Sequence, residues 1–176
     1  MAYSAIAVAN AFIEKAKEKG INDLSVMKLL KLVYYAHAWS LAVLDRPLID
    51  EDVFAWPYGP VIKSVYHEFK GYGSNNITKR GTAIICEDNE DYFPSYKYVF
   101  PKMPTNDDLS ITIIDAVLEA YGDLSAISLS SATHKQGSAW DEVTKGKSPQ
   151  EINDIAIPNT LIKKTMKREL QISEEI

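Results

Sequence analysis

Ser25-Val26-Met27-Lys28-Leu29-Leu30-Lys31-Leu32-Val33-Tyr34-Tyr35-Ala36-His37-Ala38-Trp39-Ser40-Leu41-Ala42-Val43-Leu44 is apolar around nearly its whole circumference. A helix that is apolar all round must be enclosed by other elements. The stretch therefore predicts a central buried helix, capped by Ser25, in a mainly α single-domain helical bundle. Lys28, Lys31 and Tyr35 share one side and are expected to form its wet stripe. His37 lies opposite, among Val26, Leu30, Val33, Leu41 and Leu44, so its imidazole is expected in the core, hydrogen-bonded to a neighbour.

On the N-terminal side, Ser4 is placed to cap a helix carrying Ala5, Val8, Ala9, Phe12, Ile13 and Ala16 and ending at Gly20. On the C-terminal side comes a polar connector, Asp45 to Asp52, whose acids Asp50, Glu51 and Asp52 read as solvated charge, then a short extended piece from Val53 to Trp56. Next is Trp56-Pro57-Tyr58-Gly59-Pro60-Val61, where two prolines and a glycine dictate a tight turn. Pro60 is expected to open a helix at its first position. Val61, Ile62, Val65, Tyr66 and Phe69 gather on one side of that helix and Lys63, Ser64, His67, Glu68 and Lys70 on the other, so His67 should face outward.

The pattern changes between residues 74 and 104. Thr82 to Cys86 and Tyr96 to Phe100 are short β-branched and aromatic runs flanking the acidic loop Glu87-Asp88-Asn89-Glu90-Asp91. They predict a small β-hairpin insertion around residues 80–100, which would need to pack on the helices because a lone hairpin is marginal in water. Asn106 to Asp108 are placed to cap a further helix, where helical spacing returns at Leu109, Ile113, Ala116, Val117 and Ala120, with Gly122 as terminator. Ser125 starts a short helix to Thr133, followed by a loop holding His134 and Trp140. Ser148 and Glu151 have capping-box spacing, and Pro158 opens a final helix with Leu161, Ile162, Met166 and Leu170 inward. The single domain, 1–176, then divides into a core of 1–73 and 105–172 and an insertion of 74–104.

The chain has 176 residues, a net charge of −5 and a single cysteine, Cys86. An internal disulfide and a cysteine-rich zinc site are excluded, and the acidic balance opposes phosphate binding while favouring a basic protein partner. Met1-Ala2-Tyr3-Ser4 lacks a basic leader, and no apolar stretch has membrane-span length without Lys or His interrupting it, so a cytoplasmic location with no membrane contact is expected.

None of the three histidines has His-x-x-x-His spacing, so no metal or cofactor is expected. Cys86 ends an apolar run and reads as a small hydrophobe. Lys163, Lys164, Lys167 and Arg168 give the last helix a basic side that complements its dipole, which leaves DNA binding a minor alternative. Trp39 reads as a core anchor, whereas Trp56 and Trp140 lean toward a binding surface, where aromatic anchors carry much of the energy.

Taken together, Lys28 to Trp39, Trp56-Pro57-Tyr58-Gly59-Pro60-Val61, Tyr66-His67-Glu68-Phe69 and Thr133-His134-Lys135-Gln136-Gly137-Ser138-Ala139-Trp140 resemble the Panacea domain, also called the phage-associated GepA-like family. The resemblance spans the second helix to Trp140, with two departures: many members carry Gln-Gly where this chain has His37-Ala38, and the segment 75–104 carries no motif of the family that can be quoted. It implies a mostly helical domain of bacteria and their prophages acting as the antitoxin of a toxin–antitoxin pair. The implied partner is a cognate protein toxin encoded by the adjacent gene, and some relatives act as adaptors presenting the toxin to a protease. Trp56, Tyr58, Gly59, Pro60, His67, His134 and Trp140 would form the partner-binding platform, no residue being catalytic. The alternative is a small hydrolase or metal-dependent enzyme built on His67 and His134, which requires the two to converge.

Overall fold

In the computed structural model, which describes residues 2–87 and 95–172, the sequence folds around α2 (Val26–Val43). The other helices are α1 (Ala5–Glu18), α3 (Lys63–Phe69), α4 (Asp108–Tyr121), α5 (Ala126–Thr133), α6 (Ala139–Thr144) and α7 (Asn159–Glu169). Every one of these except α6 packs directly on α2. That explains the all-round apolar composition of α2, in which Leu29, Leu32, Val33, Ala36 and Ala38 are fully enclosed.

The expected caps form. The hydroxyls of Ser4, Ser25 and Ser125 and the carboxylate of Asp107 each accept a backbone N–H from the first turn of α1, α2, α5 and α4, an interaction worth about 1 kcal/mol apiece. Glu51 is not simply solvated, since its Oε1 accepts the Ala5 N–H at 2.8 Å. His37 is fully buried as expected. Its Nδ1 accepts from the backbone N–H groups of Leu48 and Ile49, so Nε2 carries the proton and donates to Asn159 Oδ1 at 2.9 Å, fastening α7 to α2. Burial pushes its pKa down, which favours this neutral ring.

Several expectations need correction. Lys28, Lys31 and Tyr35 are buried, not a wet stripe. Other elements cover that side and supply polar partners a helical wheel cannot foresee. Lys28 Nζ meets Asp23 Oδ1 at 2.6 Å and the Gly122 carbonyl at 2.7 Å, and the Tyr35 ring stacks on Tyr121 with centroids 4.3 Å apart. On α4 the buried stripe runs through Ser110, Ile113, Ile114, Val117 and Leu118, which leaves Leu109 and Ala120 in solvent. Trp140 lies not in a loop but in the first turn of α6, capped by Ser138. The Ser148 and Glu151 contact forms, but it closes only a turn.

The strands also differ from expectation. β1 (Val53–Trp56) pairs antiparallel with β2 (Gly59–Val61) on one side and with β5 (Ile155–Ile157) on the other, a three-stranded sheet where only an extended piece was foreseen. Pro60 therefore sits in a strand, and α3 begins only at Lys63. Because β2 is an edge of this sheet, the missing N–H of Pro60 is tolerated there.

The foreseen hairpin exists as β3 (Ala83–Glu87) and β4 (Ser95–Val99), in the register Ala83↔Val99 to Glu87↔Ser95. It does not lie down on the helices. Ile84, Ile85, Tyr96 and Tyr98 are exposed, as is Cys86, which is thus no buried hydrophobe. Instead the hairpin is tied at its base. The buried side chain of Asn10 on α1 accepts the Gly81 N–H at 2.7 Å and donates to the carbonyls of Gly81 and Pro101 at 2.9 and 3.0 Å. Glu87 belongs to β3, while the rest of the acidic loop, Asp88 to Asp91, and Tyr92 lie outside the described residues.

Candidate functional site

Trp56 pairs with Gly59, so Pro57 and Tyr58 form a two-residue hairpin loop between β1 and β2. Gly59 adopts φ +105°, and a Cβ built there would meet Thr133 Oγ1 at 2.6 Å and Lys31 Nζ at 2.9 Å. Only glycine meets both the backbone and the space requirement.

Four carbonyls between Trp56 and Pro60 meet a side chain of the surrounding helices. The Trp140 indole N–H donates to the Trp56 carbonyl at 2.8 Å, and the His134 Nε2 lies 3.0 Å from the Pro57 carbonyl. Ser130 Oγ donates to the Tyr58 carbonyl at 3.0 Å and Lys31 Nζ to the Pro60 carbonyl at 3.0 Å. Partners on α2, α5, α6 and the α5–α6 connection thus hold the corner from Trp56 to Pro60 rigid. The short-range order of the sequence, Pro and Gly in a turn, becomes a surface because residues about 80 positions downstream fasten it.

Above these bonds the aromatic rings interlock. His134 packs on Trp140 with ring centroids 4.0 Å apart, and Trp56 meets Tyr66 edge-on at 4.8 Å. Tyr66 in turn contacts His67 at 5.4 Å. The Trp56 indole N–H donates to Asp154 Oδ1 at 2.8 Å, while Asp154 Oδ2 pairs with Lys63 at 3.0 Å. These two hydrogen bonds hold the Asp154 carboxyl below the usual carboxylate range. Tyr58, 71% exposed at the tip, is the most open ring of the corner.

Of the residues singled out from the sequence, Trp56, Tyr58, Gly59, Pro60, His134 and Trp140 come together, and His67 joins them through Tyr66. Their parts differ. Gly59 and Pro60 are buried and shape the turn, Trp56, His134 and Trp140 are half-buried, and Tyr58 and His67 face solvent. Both ring nitrogens of His134 face carbonyl oxygens, Ser130 at 2.6 Å and Pro57 at 3.0 Å, so both edges of the ring are turned to the protein's own backbone. Among the described residues no three His, Cys, Asp or Glu side chains are grouped to hold a metal ion.

The sequence reading missed Lys31, Tyr66 and Asp154. Lys31 is 1% exposed, and burial pushes its pKa down to about 7. It lines a cavity of about 470 Å³ beneath the corner, walled by Met27, Leu30, Trp56, Val61 and Tyr66. The available signal was a lysine at i+3 from another on an otherwise apolar helix, a spacing equally compatible with a solvated stripe.

The family model described as "Antitoxin SocA-like, Panacea domain" matches residues 29–141, from α2 to the first turns of α6. The chain is 33% identical over 140 residues to Antitoxin SocA of Caulobacter vibrioides (strain NA1000 / CB15N), an alignment covering 80% of this chain and 70% of that protein. No solved structure matches the chain.

Proposed function

The chain belongs to the SocA-like Panacea-domain antitoxins, and from that premise we propose that it neutralises a cognate protein toxin by direct binding through the aromatic corner around Trp56, Tyr58, His67, His134 and Trp140. The observation that carries this reading is the fastening of the corner: four carbonyls are satisfied internally, so the rings are presented without leaving backbone polarity to be desolvated by a partner. A net charge of −5 favours a basic partner and works against nucleic acid. No helix among the described residues is long and apolar enough to cross a membrane. The alternative enzyme reading gains nothing from the geometry, because His134 is spent on holding the turn and His67 has an aromatic neighbour in place of a convergent acid.

Co-expression with the product of the neighbouring gene tests the reading. The wild-type chain should restore growth and co-purify as a stoichiometric complex, while Tyr58→Ala should weaken the complex about tenfold, as for an aromatic anchor of about 1.4 kcal/mol or more. Neither growth nor a complex with the wild-type chain would reject it.

A further inference from the structure

His134 is the C-cap of α5, and both of its ring nitrogens are aimed at oxygens that can only accept. Nδ1 lies 2.6 Å from the Ser130 carbonyl and Nε2 3.0 Å from the Pro57 carbonyl. Thr133 Oγ1, 3.4 Å from Nδ1, donates its own proton to the Ser130 carbonyl at 2.7 Å, so toward the ring it too can only accept. A neutral imidazole carries one N–H and one lone pair, and either tautomer would set a ring lone pair against a carbonyl oxygen. Only the imidazolium donates at both edges. Two features of the place favour that cation: the C-terminal end of α5, where the helix dipole is negative, and the Trp140 ring, whose centroid is 4.0 Å away.

The charged groups on the elements around this ring are few. α5 carries none, and the Trp56–Val61 turn offers only the Tyr58 phenol. Lys31 of α2 brings its ammonium to Gly59 and the Pro60 carbonyl, Lys135 follows in the chain, and Arg168 of α7 reaches the Gly137 carbonyl. α6 carries Asp141, turned to the Gly137 N–H at 2.8 Å, and Glu142, while Asp154 is engaged by Trp56 and Lys63. We propose that His134 is a proton-operated clamp on the partner-binding corner: the imidazolium holds the Pro57 carbonyl and keeps the turn in its docking shape, and loss of the Nε2 proton lets go of Pro57 and Tyr58. Nδ1 keeps its proton because it faces two acceptors, the nearer at 2.6 Å. The closed corner holds the extra proton, so docking strengthens in acid and weakens as pH rises. The clamp stands on the geometry of this chain, and its effect on a toxin rests on the reading proposed above.

The full chain with 15N-labelled histidine is followed by long-range 1H–15N correlation from pH 5.5 to 9, together with the Tyr58 backbone amide. At the acid end both His134 nitrogens should carry protons. By pH 9 Nδ1 should keep its proton and Nε2 should be bare, and the Tyr58 amide should shift with the same midpoint. Lys31 releases its own proton at about pH 7, so two variants separate the groups: Lys31→Met should keep the Tyr58 response and His134→Gln should abolish it. A ring with one bare nitrogen at pH 5.5, a ring still doubly protonated at pH 9, or a Tyr58 response that survives in His134→Gln overturns the proposal, and the wild-type spectra decide even where a variant does not fold. In a second arm the dissociation constant for the neighbouring gene's product should rise at least fivefold from pH 6 to pH 9 for the wild-type chain and stay within twofold for His134→Gln. Equal affinity at both pH values for the wild-type chain overturns the clamp and leaves the antitoxin reading standing. No complex at either pH rejects the antitoxin reading, and the spectra alone then decide the clamp.

Discussion

The corner at Trp56–Val61 and the β3–β4 hairpin both show aromatic rings to solvent, but they are supported in opposite ways. In the corner, the carbonyls of Trp56, Pro57, Tyr58 and Pro60 are held by Trp140, His134, Ser130 and Lys31, and only Tyr58 and His67 of the predicted residues are exposed. In the hairpin the strands pair with each other, and Ile84, Tyr96, Tyr98 and Phe100 are each more than half exposed. A surface fixed before binding loses little conformational entropy on association, whereas a two-stranded ribbon gains order from whatever covers it. On the toxin-binding proposal the corner is the shared platform, and the hairpin, which lies within the residues 29–141 that the family model matches, is the element that would set partner choice.

The comparison breaks most directly at Gly59. Gly59→Ala would force a Cβ into contact with Thr133 Oγ1 and Lys31 Nζ from a backbone at φ +105°. The expected loss is about 3–5 kcal/mol, combining a strained φ with overpacking, and urea unfolding monitored by far-UV circular dichroism would measure it. An Ala substitution at exposed Tyr98 of the hairpin should stay within about 0.5 kcal/mol of wild type. Similar losses at the two sites would mean that the corner is no more determined than the hairpin.

Lys31 sharpens the contrast through pH. Its folded pKa, about 7, lies below the unfolded value of about 10.4, so between those values the unfolded chain holds a proton that the folded chain has released. Stability attributable to this group therefore rises with pH across that window, and the full cost of the buried charge is felt below pH 7. Lys31→Met removes that cost and one hydrogen bond to Pro60, so it should stabilise the fold by about 2 kcal/mol at pH 6, with the gap to wild type closing near pH 10. Paired denaturant titrations at the two pH values provide the check. A constant gap would show that the charge is not buried as placed. Lys97 on the hairpin, exposed and 3.7 Å from Glu87, serves as the control and should show less than about 0.5 kcal/mol at either pH.

What the sequence made legible follows from the range of the physics involved. Caps at Ser4, Ser25, Asp107 and Ser125, the buried α2 and the core position of His37 depend on neighbours within a turn or on strong periodicity, and all were readable. The burial of Lys28 and Lys31 was not, because the carbonyls that accept their hydrogen bonds, those of Gly122 and Pro60, lie 94 and 29 residues away. Pro at a first helical position is locally sound, which is why Pro60 reads as a helix start; the strand it occupies instead pairs with β1, whose other edge is completed by β5, about a hundred residues later. The site residues were found through their types, aromatics and histidines near turns. Their roles were not, since whether His134 is a ligand or a fastener depends on which carbonyls face it.

Excising the hairpin tests the smallest effect on stability and the most informative one on recognition. Ala83 and Val99 are Cα partners, so a Gly-Ser-Gly link can replace residues 83–99 without moving the base that Asn10 holds through Gly81 and Pro101. Since the strands leave four large apolar side chains in water, their removal forfeits little buried area, and the melting temperature should change by less than about 3 °C, equivalent to under 1 kcal/mol for a domain of this size. Binding should respond differently: if the hairpin selects the partner, the excised chain loses its cognate toxin while the corner keeps its native packing, read from unchanged indole N–H shifts of Trp56 and Trp140. Retention of full toxin affinity would place selection in the corner too and make the exposed ribbon dispensable for recognition.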